Sequence, residues 1–202
     1  MEFDGFVLTH LGAAPRRVLE VGCGAEGGVT PALLAAGHEV VGIDPRAPEG
    51  EPYLRTTLEE FEGGPFDAIV AGRMLHHVDP LGEAVAKLAR LAPLLLVDEF
   101  AWNHLDPPTQ AWYERRHAEL SRAGTPPAGP PDLDQWRWRH PGLHPYETLR
   151  DALDERFELT DVEWRPYLYR WLGDESFAAE AELVAAGEIR AIGYRIVAVV
   201  RS

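Results

Sequence analysis

Cysteine is almost absent from this chain of 202 residues, because Cys23 is the single one, so the chain cannot form an internal disulfide. This favours a reducing compartment. Basic residues are also scarce, with 19 Lys and Arg against 33 Asp and Glu and a formal net charge of −14. Nucleic-acid-binding proteins usually present a basic stripe, so this charge argues against RNA or DNA as a partner.

Long apolar runs are missing as well. No stretch is long enough to cross a bilayer, and the first residues lack the basic region of a signal peptide. We therefore expect a cytoplasmic protein without a membrane partner. A chain of 202 residues without internal repeats is most simply one α/β domain, which we assign to residues 1–202.

Residues 17–45 predict a strand, a glycine turn, a helix and a second strand. The first strand covers 18–21, the helix begins near Gly28, and the second strand covers 39–43 and ends at Asp44. The turn follows the spacing G-x-G-x-x-G with Gly22, Gly24 and Gly27. Such a unit binds a nucleoside-containing cofactor, and the acid after the second strand accepts hydrogen bonds from ribose.

The acidic residue before the turn indicates which cofactor this is. Glu20 lies two residues before the first glycine, where a carboxylate would repel the phosphate oxygens of a dinucleotide and would suit an ammonium group instead. S-adenosylmethionine carries an ammonium group, lacks phosphate, and has ribose hydroxyls for Asp44. The pattern therefore favours S-adenosylmethionine, with S-adenosylhomocysteine as product.

These motifs resemble those of the class I S-adenosylmethionine-dependent methyltransferases of the small-molecule type. Residues 66–78 are similar to the fourth strand of that family and its following loop, and residues 94–100 are similar to its fifth strand. The resemblance implies a cofactor site made of Glu20, Gly22, Cys23, Gly24, Gly27, Asp44, Pro45, Thr57, Leu58, Ala71, Gly72, Arg73 and His76. It also implies a Rossmann-like, doubly wound α/β fold with seven strands, mostly parallel, the last one antiparallel.

After the fifth strand the regular alternation of strands and helices stops. We predict a helix over 106–124, an irregular segment rich in proline and glycine over 125–131, and a helix around 146–153. We interpret residues 101–145 as a mainly helical cap over the carboxyl ends of the strands, where open α/β sheets bind ligands. The last third predicts strand six within 157–171, a helix over 176–186 and a final strand within 191–201.

Methyl transfer to a hydroxyl or an ammonium group requires removal of a proton, which histidine can accept near neutral pH. The candidates are His104, His140 and His144, ranked above His117, which lies in a charged helix. We expect no metal site, since His140 and His144 are separated by a Pro-Gly pair that disfavours a helix. Aromatic residues of the cap suggest an acceptor with a planar or apolar surface.

The function that we predict is methyl transfer from S-adenosylmethionine to an oxygen or nitrogen of a small molecule, such as a metabolite or natural product. Two alternatives stay open at this point. The chain could be an S-adenosylmethionine-binding scaffold without transferase activity, or a nicotinamide-dependent oxidoreductase in which the glycines hold pyrophosphate. The sequence does not indicate an oligomeric state.

Overall fold

A computed structural model of the protein describes residues 2–201. In chain order its main elements are helix α1 (Phe3–Leu11), strand β1 (Arg17–Val21), α2 (Thr30–Ala35), β2 (Glu39–Ile43), β3 (Tyr53–Leu54), β4 (Ala68–Gly72), α3 (Leu81–Leu91), β5 (Leu94–Phe100), α4 (Pro107–Arg122), α5 (Leu133–Arg139), α6 (Tyr146–Asp154), β6 (Phe157–Arg165), α7 (Tyr169–Leu172), α8 (Phe177–Ala185) and β7 (Gly193–Val200). Short 3-10 helices cover Leu75–His77, Trp102–His104 and Asp174–Ser176.

The strands form one seven-stranded sheet in the order β3-β2-β1-β4-β5-β7-β6. The pairs β1 with β2, β1 with β4, β2 with β3, and β4 with β5 are parallel, and the last strands are antiparallel. The chain therefore has the Rossmann-like fold that the sequence predicts, with the strand order reversing at β1 as in doubly wound sheets.

The chain divides into two compact units. The first contains residues up to 99, 147–162 and those from 195 onward, and it holds most of the sheet. Its core is built from residues with no or little exposure, such as Val7, Val18, Leu33, Val70 and Leu96. Continuous apolar runs form the central strands because both faces of a parallel sheet are covered.

The second unit contains residues 100–146 and 163–194. Its core is rich in aromatic rings, and Trp112, Tyr113 and Leu120 of α4 lie in it. Helix α4 begins where the Asp106 carboxylate accepts a 3.0 Å hydrogen bond from the Thr109 amide, an N-cap followed by two prolines. The assignment of residues 1–202 to one methyltransferase domain, with residues 101–145 as its cap, stays a prediction.

The element boundaries agree closely with those expected from the sequence. Strands β2 and β5 span the predicted residues, and β1 begins one residue earlier. The helix expected from near Gly28 begins at Thr30, because residues 25–29 form turns that precede it. The segment 125–131 contains no helix or strand.

Candidate cofactor site

The glycine turn between β1 and α2 has the backbone that only glycine adopts without strain. Gly22, Gly24 and Gly27 have φ angles of 81°, 64° and 82°. The turn is tied to the end of β2, because the Gly22 amide donates a 2.8 Å hydrogen bond to the Ile43 carbonyl. It also touches the loop after β4, since a Cβ at Gly22 would lie 2.9 Å from Met74 Cβ. The spacing G-x-G-x-x-G thus marks a fixed turn at the carboxyl ends of three strands.

Glu20 lies beneath this turn and faces the first residues of α2. One carboxylate oxygen accepts from the Val29 amide at 2.8 Å. The other accepts from the Thr30 amide at 2.8 Å and from the Thr30 hydroxyl at 2.7 Å. The Glu20 residue is only 3% exposed. Its carboxylate therefore stabilises the backbone N–H groups at the start of α2, and its contact with a ligand ammonium group stays a prediction.

Burial raises the pKa of the Glu20 carboxyl above its ordinary value, although the hydrogen bonds from Val29 and Thr30 and the charge of Arg73 act in the opposite direction. Gly28 makes this arrangement possible. A Cβ at Gly28 would lie 2.0 Å from Glu20 Oε1, so any larger residue would displace the carboxylate. Gly28 also has a positive φ of 55°.

Tyr53, at the start of β3, crosses the sheet surface next to the turn. Its ring lies against Gly42 of β2, where a Cβ would be 2.9 Å from Tyr53 Cδ1. Its hydroxyl reaches the third glycine of the motif, since a Cβ at Gly27 would lie 2.4 Å from the Tyr53 oxygen. Both glycines therefore provide the space that the tyrosine occupies. Burial raises the pKa of the Tyr53 phenol, and Cys23 and Glu20 raise it further.

Asp44 follows β2 directly, at the same edge of the sheet as the glycine turn. Its side chain is 12% exposed. One oxygen, Oδ1, accepts a 2.7 Å hydrogen bond from the Arg46 amide, which fixes the orientation of the carboxylate. Pro45 and Arg46 are exposed. A half-buried, oriented carboxylate at this place fits the hydroxyls of a ribose, so the residues present fit an adenosyl cofactor.

Cys23 is buried inside the turn. Burial raises the pKa of its thiol to about 12, and the charges of Glu20 and Asp44 also raise it. The thiol is therefore protonated at neutral pH, and a protonated thiol is a poor nucleophile. This agrees with a role for Cys23 in the packing of the turn.

The loop after β4 carries an unusual backbone. Arg73 has a φ of 53°, the one positive value of a non-glycine residue among residues 2–201. Its amide donates a 2.7 Å hydrogen bond to the Asp98 carbonyl, and its guanidinium lies 3.6 Å from Asp98 Oδ2. Ala71 is buried, whereas the Arg73 side chain is 43% exposed. Strained backbone of this kind concentrates at ligand sites, which is consistent with the predicted place of Ala71, Gly72 and Arg73 beside the cofactor.

His76 lies in the 3-10 helix that follows, and it is held by the end of β5. Its Nδ1 is 2.6 Å from Glu99 Oε2, and both residues are buried. Glu99 Oε1 also accepts a 2.7 Å hydrogen bond from the Leu75 amide. Because a carboxylate only accepts, Nδ1 of His76 donates, and the neutral ring then carries its lone pair on Nε2. Thr57 is exposed at the start of a turn, where its hydroxyl accepts from the Glu60 amide at 3.2 Å, and Leu58 is buried.

The three candidate catalytic histidines belong to the second unit. His104 ends the 3-10 helix Trp102–His104 and stacks on Trp164 with ring centroids 5.1 Å apart. His144 is close in the fold, since the Trp102 indole donates a 3.2 Å hydrogen bond to the His144 carbonyl. His140 lies at the carboxyl end of α5 and is exposed. Its Nδ1 lies 2.8 Å from the Trp136 carbonyl oxygen. The structure thus brings the segments of His104 and His144 together.

Around His104 the second unit contains a cluster of aromatic rings. Tyr146 contacts both Trp164 and Tyr194 with centroids 4.8 Å apart. The Tyr146 amide donates a 3.1 Å hydrogen bond to Asn103 Oδ1, so this cluster and the 3-10 helix are joined. Trp164 is 38% exposed. The rings provide an apolar, planar surface next to a histidine.

The sequence did not single out Thr30, Tyr53, Asp98 and Glu99 as site residues. Asp98 and Glu99 lie near the end of β5, a predicted strand, and two acidic residues in an otherwise apolar strand are the available signal. Tyr53 and Thr30 gave no comparable signal, because their contacts depend on the register of β1, β2 and β3.

None of the helices within residues 2–201 is both long and apolar enough to span a bilayer. Over the same residues, no three His, Cys, Asp or Glu side chains lie where they could hold a metal ion.

We compared the chain with protein-family profiles, curated protein sequences and solved structures. A family profile described as a methyltransferase domain matches residues 6–163. A search of curated protein sequences finds no match. Among solved structures, the chain is similar to an S-adenosylmethionine-dependent methyltransferase from Mesorhizobium loti, with 19% identity, 94% of this chain and 92% of that chain covered, and a TM-score of 0.58.

Two further similar structures contain S-adenosylhomocysteine. One is the 1,6-didemethyltoxoflavin-N1-methyltransferase of Burkholderia thailandensis, with 19% identity, 98% and 76% coverage and a TM-score of 0.56. The other is the N-methyltransferase NodS of Bradyrhizobium japonicum, with 16% identity, 95% and 80% coverage and a TM-score of 0.54. At these identities the likeness concerns the fold.

Proposed function

We propose, on the premise that this chain belongs to the methyltransferase-domain family, that it transfers a methyl group from S-adenosylmethionine to an oxygen or nitrogen of a small molecule. Family membership argues against both alternatives that the sequence leaves open, an S-adenosylmethionine-binding scaffold without transferase activity and a nicotinamide-dependent oxidoreductase. The observation that carries the proposal is the oriented Asp44 carboxylate at the end of β2, beside a glycine turn in the required conformation.

S-adenosylmethionine supplies a methyl group on a sulfonium, which is already activated for displacement. Asp44 would accept hydrogen bonds from the ribose hydroxyls, and the turn from Gly22 to Gly27 would present bare backbone to the ligand. By the resemblance to the family, Thr57 and Leu58 would hold the adenine. The methionine end would be held by Ala71, Gly72, Arg73 and His76. These residues hold the donor, so the remaining task of the protein is to align the acceptor and remove its proton.

A histidine of the second unit removes that proton in this proposal. His140 illustrates the chemistry, because Nδ1 donates to the Trp136 carbonyl and the neutral ring then has its lone pair on Nε2. His104 and His144 are the other candidates. His104 is supported by the aromatic cluster around it, because its stacking on Trp164 fixes the plane of the imidazole.

The acceptor class is supported by charge and by the aromatic cluster. A net charge of −14 opposes nucleic acid as acceptor. The exposed part of Trp164 and the neighbouring rings favour a planar or apolar small molecule. Two of the similar structures are named as N-methyltransferases, which supports nitrogen as one possible acceptor atom. A cytoplasmic location agrees with the single cysteine.

Ligand-dependent unfolding tests the donor, and product analysis tests the reaction. S-adenosylhomocysteine at about 100 times its Kd should stabilise the protein by about 2.7 kcal/mol, and nicotinamide dinucleotides should not stabilise it. Incubation with S-adenosylmethionine and a panel of phenols, amines and heterocycles should yield a product heavier by one methyl group. Absence of both stabilisation and product would contradict the proposal.

A further inference from the structure

The irregular segment 125–131, which the proposed reaction does not use, is held in a defined shape within the second unit. The Gly129 amide donates a 3.0 Å hydrogen bond to the Trp171 carbonyl of α7. The Tyr113 hydroxyl of α4 donates a 2.8 Å hydrogen bond to the Pro130 carbonyl. A Cβ at Gly129 would lie 2.5 Å from the Tyr113 oxygen, so this close contact requires glycine.

Beside these contacts, the segment and α7 leave an open cavity of about 290 Å³. Its lining comes from two stretches of the second unit, residues 125–128 and residues 170–175. Small-molecule sites measure about 300–1,000 Å³, so this cavity suits a metabolite of the size of an amino acid. Among residues 2–201, none of those proposed to hold the cofactor or to accept the proton lines it.

The cavity has apolar residues on both sides. Pro126 and Pro127 line it from the irregular segment, and Trp171 and Leu172 line it from α7. A proline side chain loses almost no conformational entropy when a ligand packs against it. The Trp171 ring is held edge-on by Tyr167, with ring centroids 5.6 Å apart. These fixed apolar groups suit the side chain of an apolar ligand.

One residue of each charge lines the same cavity. The guanidinium of Arg170 lies 5.9 Å from the ring centroid of Tyr167 and 5.6 Å from that of Tyr169, and both contacts restrict its position. Glu175 is exposed, and its carboxylate lies over Gly173, where a Cβ would be 2.5 Å from Glu175 Oε2. A guanidinium pairs with a carboxylate, and a carboxylate pairs with an ammonium group. The two side chains therefore complement the two charges of a zwitterion.

We propose that this cavity binds a free α-amino acid with an apolar or aromatic side chain. The carboxylate of the amino acid pairs with Arg170, its ammonium group pairs with Glu175, and its side chain packs on Pro126 and Trp171. Because the occupant contacts both stretches of the lining, it stabilises the folded second unit against unfolding. This site is additional to the cofactor site and does not depend on the proposed methyl transfer.

Calorimetric titration of the full chain with three related ligands tests the two charges. L-phenylalanine carries both charged groups, phenethylamine lacks the carboxylate, and 3-phenylpropionate lacks the ammonium group. The wild type should bind L-phenylalanine about two- to fivefold more tightly than either analogue, which is the range for an exposed ion pair.

Two substitutions assign each charge of the ligand to its partner. Arg170→Gln should abolish the preference for L-phenylalanine over phenethylamine, because the ligand carboxylate then has no cation to pair with. Glu175→Gln should abolish the preference for L-phenylalanine over 3-phenylpropionate. Arg139→Gln and Glu182→Gln are the matched controls, since both residues are exposed and lie outside the lining, and they should leave both ratios unchanged.

A third substitution tests the cavity itself. Ala128 is exposed and lines the cavity, so Ala128→Leu should fill part of it and weaken L-phenylalanine by about tenfold. Ala111→Leu, at an exposed position of α4, should leave the affinity unchanged.

Two results would overturn the proposal. One is the absence of saturable binding of L-phenylalanine by the wild type. The other is binding that Ala128→Leu and both charge variants leave unchanged, since the amino acid would then be bound elsewhere on the protein. Titration of the same samples with S-adenosylhomocysteine reports on the cofactor site separately, so failure of one assignment does not imply failure of the other.

Discussion

Asp98 Oδ1 accepts a 3.0 Å hydrogen bond from Arg195 Nε, and this pair joins β5 to β7 inside the protein. Arg195 is fully buried and the Asp98 side chain is 4% exposed. The guanidinium also lies over the rings of Phe3 and Phe6, at 5.4 Å and 5.1 Å from their centroids. Because Asp98 also faces Arg73, this buried pair connects helix α1 and the last strand to the loop of the cofactor site.

Arg195→Met should lower the free energy of unfolding by about 3–5 kcal/mol, because it leaves a buried carboxylate without its main partner. Urea unfolding measures the loss. Arg201→Met is the matched control, since Arg201 pairs with Asp154 at the surface, where such pairs contribute at most about 1 kcal/mol. Equal losses in the two variants would show that burial does not increase the contribution of the Asp98–Arg195 pair to the free energy of unfolding.

Thr30→Val removes the hydroxyl that donates to Glu20 and preserves the shape of the side chain. The loss of one hydrogen bond to a charged group should cost about 1.5–3 kcal/mol of stability. We expect weaker binding of S-adenosylhomocysteine as well, because Glu20 and the turn would be held less firmly. Thr9→Val on an exposed face of α1 should change stability by no more than about 0.5 kcal/mol. An equally small loss of stability in Thr30→Val would show that the Thr30 hydroxyl does not hold Glu20 and the turn in place.

Asp44→Ala should weaken binding of S-adenosylhomocysteine by about 1–3 kcal/mol, the range for a polar group left without its partner. Calorimetry measures the Kd, and an unfolding curve confirms that the fold persists. Glu49→Ala serves as control, because Glu49 is an exposed acid after the same strand and pairs with Arg55. Identical Kd values for Asp44→Ala and the wild type would show that the ribose is bound elsewhere.

The sequence was sufficient to predict the sheet and the glycine turn, because both leave local signals. Buried parallel strands such as β5 are continuous apolar runs, and positive φ angles require glycines at fixed spacing. Asp44 was predictable for the same reason, since it directly follows an apolar strand.

Contacts between distant parts of the chain were not predictable in this way. The hydrogen bond of His76 to Glu99 and the reach of Tyr53 over Gly42 depend on strand order and register. The role of Gly28 was equally hard to predict. The Glu20 carboxylate occupies the space that a side chain at residue 28 would fill. A sequence pattern identifies residues with reactive or hydrogen-bonding side chains. Strand order and register determine which of these side chains come into contact.

Replacement of the histidine that accepts the proton should reduce kcat by about 10²–10⁴-fold, the usual contribution of general base catalysis. The Kd of S-adenosylhomocysteine should stay unchanged in that variant. We would compare His104→Gln, His140→Gln and His144→Gln on an identified acceptor across pH 6 to 9. His117→Gln is the control, because both ring nitrogens of His117 have protein partners, the Gly129 carbonyl and the Ser121 hydroxyl. Full activity in all three variants over this range would exclude catalysis by these three histidines.

Glu180 of α8 offers a test of buried charge in the second unit. Its carboxylate accepts hydrogen bonds from three successive amides, those of Tyr167, Leu168 and Tyr169, at 2.7 Å, 2.9 Å and 2.7 Å. Burial raises the pKa of the Glu180 carboxyl above the ordinary value of 4.5, although the three amides act to lower it. Glu180→Gln should cost about 1–3 kcal/mol of stability, because the amide nitrogen of glutamine cannot accept from a backbone N–H.

The pH dependence of that cost has a defined sign. A carboxyl whose pKa is raised on folding keeps its proton in the folded state over a range in which the unfolded chain has released it. Its stabilising contribution is therefore complete below about pH 4.5 and is lost as the pH rises through the raised value. Glutamine does not titrate, so the difference in unfolding free energy between wild type and Glu180→Gln should shrink as the pH increases from about 4.5. Urea unfolding at several pH values measures this difference, with Glu182→Gln on the exposed side of α8 as control. A difference that grows with pH would show that the three amides, rather than burial, dominate the titration of Glu180.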